Sequence, residues 1–186
     1  MPELSNGQPV ALRAATHGDL ATLSTLAMHT YSEAFGHSLS ASDLAAHLEN
    51  HLSARSFSRM LDDDVILVAE VGTRMIGYVQ FGTAPAAPHL DQELRRMYVD
   101  PHFQKQGLGA LLMDAALDHP RLKGARQIYL DVWEHNDGAQ RFYARYGFVV
   151  IGSRQFAVQS GAETSLDLVM RRRQAESVAA RSHRLT

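Results

Sequence analysis

The residues best suited to chemistry in this sequence fall in two runs, 94–112 and 130–148. The first reads Leu94-Arg95-Arg96-Met97-Tyr98-Val99-Asp100-Pro101-His102-Phe103-Gln104-Lys105-Gln106-Gly107-Leu108-Gly109-Ala110-Leu111-Leu112. Residues 94–99 pattern as a strand, Asp100-Pro101 closes it, and a short loop opens a helix through Gly107 and Gly109. Glycines there let the backbone turn tightly and let N–H groups approach a ligand with no Cβ in the way. The N–H groups of a helix's first turn have no partner inside the helix, and the helix dipole adds partial positive charge. Together these suit a phosphate or a pyrophosphate. The Walker pattern is excluded because no Gly-Lys-Ser/Thr triplet occurs. The dinucleotide fingerprint is excluded because Ala110, Leu111 and Leu112 follow Gly109 where a third Gly would stand. By itself, Gly-x-Gly is equally an ordinary strand-to-helix turn.

The second run reads Leu130-Asp131-Val132-Trp133-Glu134-His135-Asn136-Asp137-Gly138-Ala139-Gln140-Arg141-Phe142-Tyr143-Ala144-Arg145-Tyr146-Gly147-Phe148. With it, the chain resembles the GNAT superfamily of N-acetyltransferases. The first run looks like that family's acetyl-coenzyme A pyrophosphate motif, and the second like its Asn-x-x-Ala-x-x-Phe-Tyr-x-x-x-Gly-Phe motif. The resemblance covers residues 10–171. It implies acetyl-CoA as co-substrate, bound where two strands splay. The main chain of Met97 and Val99 would hold the acetyl carbonyl and the pantetheine amides, with Tyr98 between them counted among the cofactor-binding residues. Backbone N–H groups of Gln104, Lys105, Gln106, Gly107, Leu108, Gly109 and Ala110 would wrap the pyrophosphate. Asn136 would bond the pantetheine arm, Ala139 and Phe142 would line its channel, and Tyr143 would lie beside the sulfur.

Acyl transfer from a thioester to an amine expels a thiolate, which benefits from a nearby proton donor. A phenol with a pKa near ~10 stays protonated at pH 7 and can donate, so Tyr143 is the expected acid. The competing reading makes Tyr143 a core aromatic like Phe142 and Phe148. An amine with a pKa near ~10 must also lose a proton before it attacks. Glu93 stands eleven residues before Gln104, the spacing of the catalytic glutamate in histone-acetylating members. It is the candidate base, directly or through water; otherwise it anchors a cation, or is a carboxylate beside Asp91 or paired with Arg95. The absence of Cys excludes an acyl-cysteine, and no Gly-x-Ser-x-Gly elbow offers a serine. The expected route is therefore direct attack, with the oxyanion met by a backbone N–H at Val99 or Met97.

The acceptor side would come from the first helices. Tyr31, Glu33, Phe35 and Glu134 could cradle an aliphatic cation through carboxylates and ring faces, or simply be polar residues at a helix end. With the Val-Trp-Glu-x-Asn run they resemble the bacterial polyamine (spermidine/spermine) acetyltransferase branch. Other acceptors in view are a protein N-terminus, a lysine side chain and an antibiotic amine. Different classes are a non-catalytic acyl-CoA-binding module and a nucleotide-binding regulator. Family members often dimerise, so a homodimer is a possible assembly. His47 and His51 stand four apart but lack the His-Glu-x-x-His arrangement, so no metal is expected.

The elements that must position these groups follow from periodicity. Residues 10–14 suit a strand, and Thr16 with Asp19 suits a helix start. Helical spacing runs to Gly36, resumes near Ser42, and recurs over 53–61. Residues 65–71 and 75–82 pattern as a hairpin, and 83–90, with two Pro and three Ala, as a loop. Strands follow at 94–99, 128–133, 148–156 and 165–170, with helices at 107–118 and 137–146. The expected fold is α/β (α+β), a mixed, mostly antiparallel six- to seven-stranded sheet flanked by helices. The central splay in that sheet is implied by the resemblance.

The chain has 186 residues, 45% of them hydrophobic and 20% charged, which suits one domain with a real core. Residues 10–173 are expected to form it, after a flexible lead-in at 1–9 and before a disordered tail at 174–186. The formal charge of −2 is uneven: residues 171–186 hold five Arg and one Glu, leaving 13 basic and 19 acidic side chains before them. An acidic body is a poor nucleic-acid binder and favours cationic partners. Arg171, Arg172 and Arg173 are expected as a solvated run leading into the tail. No apolar run reaches the ~20 residues of a membrane span. No signal peptide is visible, and with no Cys a cytoplasmic home is expected.

Overall fold

The computed structural model describes residues 1–85, 91–156 and 165–174. Its strands are β1 (Ala11–Ala14), β2 (Val65–Val71), β3 (Arg74–Thr83), β4 (Asp91–Val99), β5 (Gln127–Trp133), β6 (Val149–Phe156) and β7 (Ser165–Arg173). The helices are α1 (Leu20–Phe35), α2 (Ala41–Leu52), α3 (Ala54–Asp63), α4 (Leu108–Asp118), the one-turn α5 (Pro120–Lys123) and α6 (Asp137–Arg145). The seven strands lie in the order β1-β2-β3-β4-β5-β7-β6, and only β4 and β5 run parallel. The sheet thus has the mixed, mostly antiparallel architecture expected.

Side-chain alternation along the strands feeds two cores. Ile76, Val79, Leu94, Ile128 and Leu130 pack with Leu108, Leu112, Met113 and Ala116 of α4. On the opposite face Ile66, Val68 and Tyr78 pack with Leu23, Leu26 and Ala27 of α1, Leu52 of α2 and Phe57 of α3. Short polar side chains start the helices: Ser40 Oγ accepts from Asp43 N, and Ser53 Oγ from Ser56 N. Thr16 and Asp19 form a capping box on a 3-10 turn, and α1 proper begins one residue later. Among the described residues no helix is long and apolar enough to cross a membrane.

The feature that matters most is the join between β4 and β5. It has only three paired positions: Asp91 with Gln127, Gln92 with Ile128 and Glu93 with Tyr129. Beyond Glu93 the strands part, while β4 stays paired to β3 through Val99 and β5 to β7 through Trp133. A bulge marks the divergence, since Gln80 faces Arg96 and Phe81 faces Leu94, leaving Arg95 as an extra residue in β4. Bulges bend and twist a strand. Arg95 is pinned there: Nε donates to Asp64 Oδ2 at 2.9 Å, Nη2 to Thr83 O at 2.8 Å, and Nη1 pairs with Glu93. Asp64 Oδ2 also accepts from Gln80 Nε2 at 2.6 Å. The splay implied by the resemblance is thus present.

Several expectations need correction. Strand β4 starts at Asp91, not Leu94, because Asp91 and Gln92 are buried polar residues that break an apolar pattern. Arg126 Nε lies 3.5 Å from Asp91 Oδ1, and Arg121 Nε donates to Gln92 Oε1 at 2.9 Å. Residues 1–9 are not a loose lead-in in this structure. Leu4 is buried in the α4-side core, Leu4 N donates to Gln8 O at 2.9 Å, and Val10 N to Pro2 O at 2.8 Å. Arg171, Arg172 and Arg173 are not a solvated run but the end of β7, opposite Tyr129, Ile128 and Gln127. β7 lies between β5 and β6, so its ladder continues past Met170. Of the expected tail, 175–186 lies outside the described residues, as does 86–90 of the expected loop.

The Asp64 anchor can be tested at Gly82. A Cβ added there would fall 1.8 Å from Asp64 Oδ1. Gly82→Ala must therefore displace Asp64 and loosen Arg95. It is expected to lower the unfolding free energy by about 1–3 kcal/mol, read as a lower urea midpoint. An unchanged midpoint contradicts the anchor.

Candidate active site

The loop from Asp100 to Gly107 connects β4 to α4. Asp100 fixes its start: Oδ1 accepts from His102 N at 2.9 Å, and Oδ2 from Arg74 Nη2 at 2.7 Å. Burial alone would raise its pKa, but the bonds from His102 and Arg74 prevail and hold it below the ordinary value. The loop then enters left-handed backbone twice, at Lys105 (φ 59°) and at Gly107 (φ 87°). Gly107 is the N-cap of α4, and glycine carries no penalty in that conformation. Among the described residues no main-chain carbonyl accepts from the N–H groups of residues 105–110; Leu111 N is the next to find one, on Gly107 O at 3.1 Å. That run of unpartnered donors at a helix start is the chemistry a diphosphate requires.

Side chains around the loop are mostly committed elsewhere. Gln104 Nε2 reaches Val99 O at 3.3 Å, and Gln106 Nε2 reaches His102 O at 2.9 Å. Leu108 is buried in the core, so only its main chain can face a ligand. A Cβ at Gly109 would meet Phe142 Cε2 at 3.8 Å, so that glycine sits where α4 approaches α6. Ala110 O accepts from Tyr146 Oη at 3.5 Å, a second tie between these helices.

The main chain of β4 supplies the next group. Asp100 N donates to Ile76 O at 2.9 Å, and Gly77 stands opposite Val99, so Asp100 is in a hydrogen-bonded pair with β3. Main-chain groups alternate sides along an antiparallel ladder. Tyr98 therefore presents its N–H and C=O to β3, while Met97 and Val99 present theirs to the gap opened by β5. Expected with Met97 and Val99 as a cofactor contact, Tyr98 instead sends its ring to the α1 side, 6.5 Å from Tyr31 and 5.8 Å from Tyr78.

Tyr143 projects from α6 into the same region. It is 8% exposed, with Phe142 at 5.5 Å and Phe148 at 6.0 Å between ring centroids. The ring is therefore part of the core, as the competing reading expected. Burial pushes the phenol up to about 12, so it keeps its proton at neutral pH. Asn136 caps α6, its Oδ1 accepting from Ala139 N at 3.0 Å. Its Nδ2 remains as a donor. Ala139 and Phe142 pack at the edge of the core.

On the α1 side, a cavity of about 430 Å³ joins the two halves of the site. Glu33 and Phe35 of α1 line it together with Gln104, Trp133 and Asn136. Phe35 lies 6.0 Å from Trp133 and 4.9 Å from Tyr31. Tyr31 is buried behind this wall and stacks on His47 at 4.1 Å. Burial, helped by His51 and Arg96, lowers His47 to about 4, so it is neutral at pH 7.

Glu93 sits at the vertex of the splay, half-buried and paired with Arg95. Burial raises its pKa; Arg95 opposes this and Asp131 adds to it. Sequence reasoning missed two neighbouring carboxylates. Asp131 on β5 and Asp167 on β7 are both raised by burial, and each repulsion from Asp131 and Glu134 raises Asp167 further. Arg154 Nε lies 3.2 Å from Asp131 Oδ2. Glu134, expected as a cation anchor, accepts from Leu166 N at 3.2 Å and so also ties β7 to the end of β5. Asp131 could have been found from alternation, since it faces away from Leu130 and Val132. Asp167 could not, because its placement depends on β7 entering beside β5. Among the described residues no three His, Asp or Glu side chains cluster as metal ligands.

Comparisons with known proteins agree with this geometry. The acetyltransferase (GNAT) family model matches residues 23–148. The chain is 31% identical over 154 residues to an uncharacterized N-acetyltransferase of Mycobacterium tuberculosis, covering 82% of this chain and 96% of that protein. It is 30% identical over 87 residues to the spermine/spermidine N(1)-acetyltransferase of Bacillus subtilis, covering 44% of this chain and 57% of that one. Its fold is similar to that of the PaiA N-acetyltransferase of Thermoplasma acidophilum in complex with coenzyme A. That match has a TM-score of 0.74 at 20% identity, over 89% of this chain and 99% of that one. The chain belongs to the acetyltransferase (GNAT) family and is an N-acetyltransferase with acetyl-CoA as its co-substrate.

Proposed function

We propose that this enzyme acetylates a polyamine or another small cationic amine by direct transfer. The observation that carries the reading is an excess of carboxylates on the acceptor side. Glu93, Asp131, Glu134 and Asp167 come together there, with Arg95 and Arg154 as the cations that act on them. Such a field attracts an ammonium group and disfavours an anionic acceptor. Phe35 and Trp133 add ring surface beside Glu33 at the cavity wall, which suits an aliphatic chain bearing positive charge. The Bacillus relative named for spermine and spermidine supports the same class over its matched segment.

The residues divide the work as follows. Acetyl-CoA supplies a thioester-activated acetyl group. Main-chain N–H groups of residues 105–110 hold its diphosphate. Met97 and Val99 hold the pantetheine arm and acetyl group along the open edge of β4, and Val99 N–H or Met97 N–H faces the oxygen on which negative charge develops. Asn136 Nδ2 and the walls at Ala139 and Phe142 align the arm. Tyr143 Oη keeps a proton for the departing sulfur; its raised pKa maintains the protonated form across the physiological range. Glu93 takes a proton from the ammonium group, directly or through water. Its raised pKa brings it closer to the range in which a carboxylate works well as a base.

Three measurements test these assignments. Thiol release from acetyl-CoA against an amine panel is expected to be fastest with spermidine and spermine, slower with putrescine, and slowest with peptide N-termini and aminoglycosides. Preference for a peptide amine sinks the acceptor assignment, and coenzyme binding with no thiol release for any amine makes the chain a binding module. Tyr143→Phe is expected to lower kcat by about 10²–10⁴-fold with a smaller change in the acetyl-CoA KM; an unchanged kcat removes Tyr143 as the acid. The base works deprotonated, so kcat is expected to rise with pH through a value above the ordinary carboxylate range. Glu93→Gln should abolish that acidic limb, and its persistence assigns the limb to another group.

A further inference from the structure

The segment before β1 has no part in the functional reading above, yet it is folded against the diphosphate loop. Ser5 N donates to Gln106 O at 3.0 Å, and Asn6 Nδ2 donates to Gln106 Oε1 at 3.0 Å. A Cβ at Gly107 would find Ser5 Oγ at 3.8 Å, so Ser5 lies directly beside the N-cap of α4. The segment is itself braced. Gly7 N donates to Leu4 O at 2.8 Å, Gln8 N to Asn6 Oδ1 at 3.0 Å, and Glu3 pairs with Pro9. Leu4 is 3% exposed and anchors the segment in the core beneath α4.

The peptide joining Gln106 to Gly107 is trans, so its C=O and N–H point in opposite directions. Ser5 N–H holding the Gln106 carbonyl therefore aims the Gly107 N–H away from the segment. That N–H has no acceptor among the described residues. The side-chain bond from Asn6 fixes the same residue from a second direction. Without these bonds, a backbone at φ 87° flanked by Lys105 at φ 59° would be free to rotate the plane and turn the donor aside.

We infer that residues 2–8 form a positioning strap for the diphosphate loop, with Ser5 and Asn6 orienting the Gln106–Gly107 peptide so that its N–H meets the phosphate. The inference rests on the reading of residues 105–110 as the diphosphate site. The strap touches no reacting atom; it acts through the loop and so affects only donors that carry a diphosphate.

The test compares acetyl-CoA with acetyl-pantetheine, which lacks the phosphates, in wild type, Asn6→Ala and Ser5→Pro. Wild type is expected to show a much lower KM for acetyl-CoA than for acetyl-pantetheine. Loss of one such hydrogen bond should raise the acetyl-CoA KM about three- to tenfold and leave kcat/KM for acetyl-pantetheine unchanged. A general structural defect would move both donors together. Ser5→Pro removes the N–H and could disturb folding; Asn6 is exposed, so Asn6→Ala keeps the question answerable. Variants that retain the full wild-type preference for acetyl-CoA, or lose both donors equally, overturn the strap. A wild type that shows no preference overturns the diphosphate site itself.

Discussion

The parting of β4 from β5 is the constraint on which this enzyme depends. A parallel pair normally satisfies its main-chain groups along its whole length, but here pairing stops at Glu93 and Tyr129. The remaining edge of β4 turns main-chain groups of Met97 and Val99 to the gap, of which Val99 O already accepts from Gln104 Nε2. An extended ligand with amides of its own can pair with such groups as a short extra strand. A bulge at Arg95 in the β3–β4 ladder stands two residues past the point where this pairing stops, and Asp64, Thr83 O and Glu93 fix that arginine in place. The same arginine pairs with Glu93 at the vertex of the gap.

The gap has two chemically different sides. Toward α4 and α6 it offers main-chain donors, the apolar walls of Ala139 and Phe142, and a buried phenol. Toward α1 it offers aromatic rings and carboxylates. Burial near the splay raises both Tyr143 and Glu93, by the same desolvation of the charged form. For the phenol this preserves a donor; for the carboxylate it strengthens a base. Both shifts suit the two proton transfers of the proposed mechanism.

The loop from Asp100 to Gly107 is held from three directions. Asp100 sets its start through Arg74 and His102, the side chains of Gln104 and Gln106 fold back onto the carbonyls of Val99 and His102, and the N-terminal segment braces Gln106 from outside. A site made of main-chain N–H groups has no side chain to re-aim, so its precision comes from fixing peptide planes.

Local patterns in the sequence were enough to mark the Gly107–Gly109 turn, the helix carrying Tyr143, the hairpin before β4 and the strand alternation that separates the two cores. These depend on residue type and short spacing, through backbone freedom at glycine and the periods of helix and strand. Four other features are set by partners far along the chain. Asp91 and Gln92 join the strand by pairing with β3 and β5, and Arg126 and Arg121 reach their side chains. Arg171–Arg173 extend a strand only because β7 is inserted between β5 and β6. The carboxylate group of Glu93, Asp131 and Asp167 draws on three strands, and the strap on Gln106 spans 100 residues. Local sequence decided which groups could do chemistry here. Only the tertiary structure, by bringing distant strands and termini together, decided which of them share a field, a gap and a peptide plane.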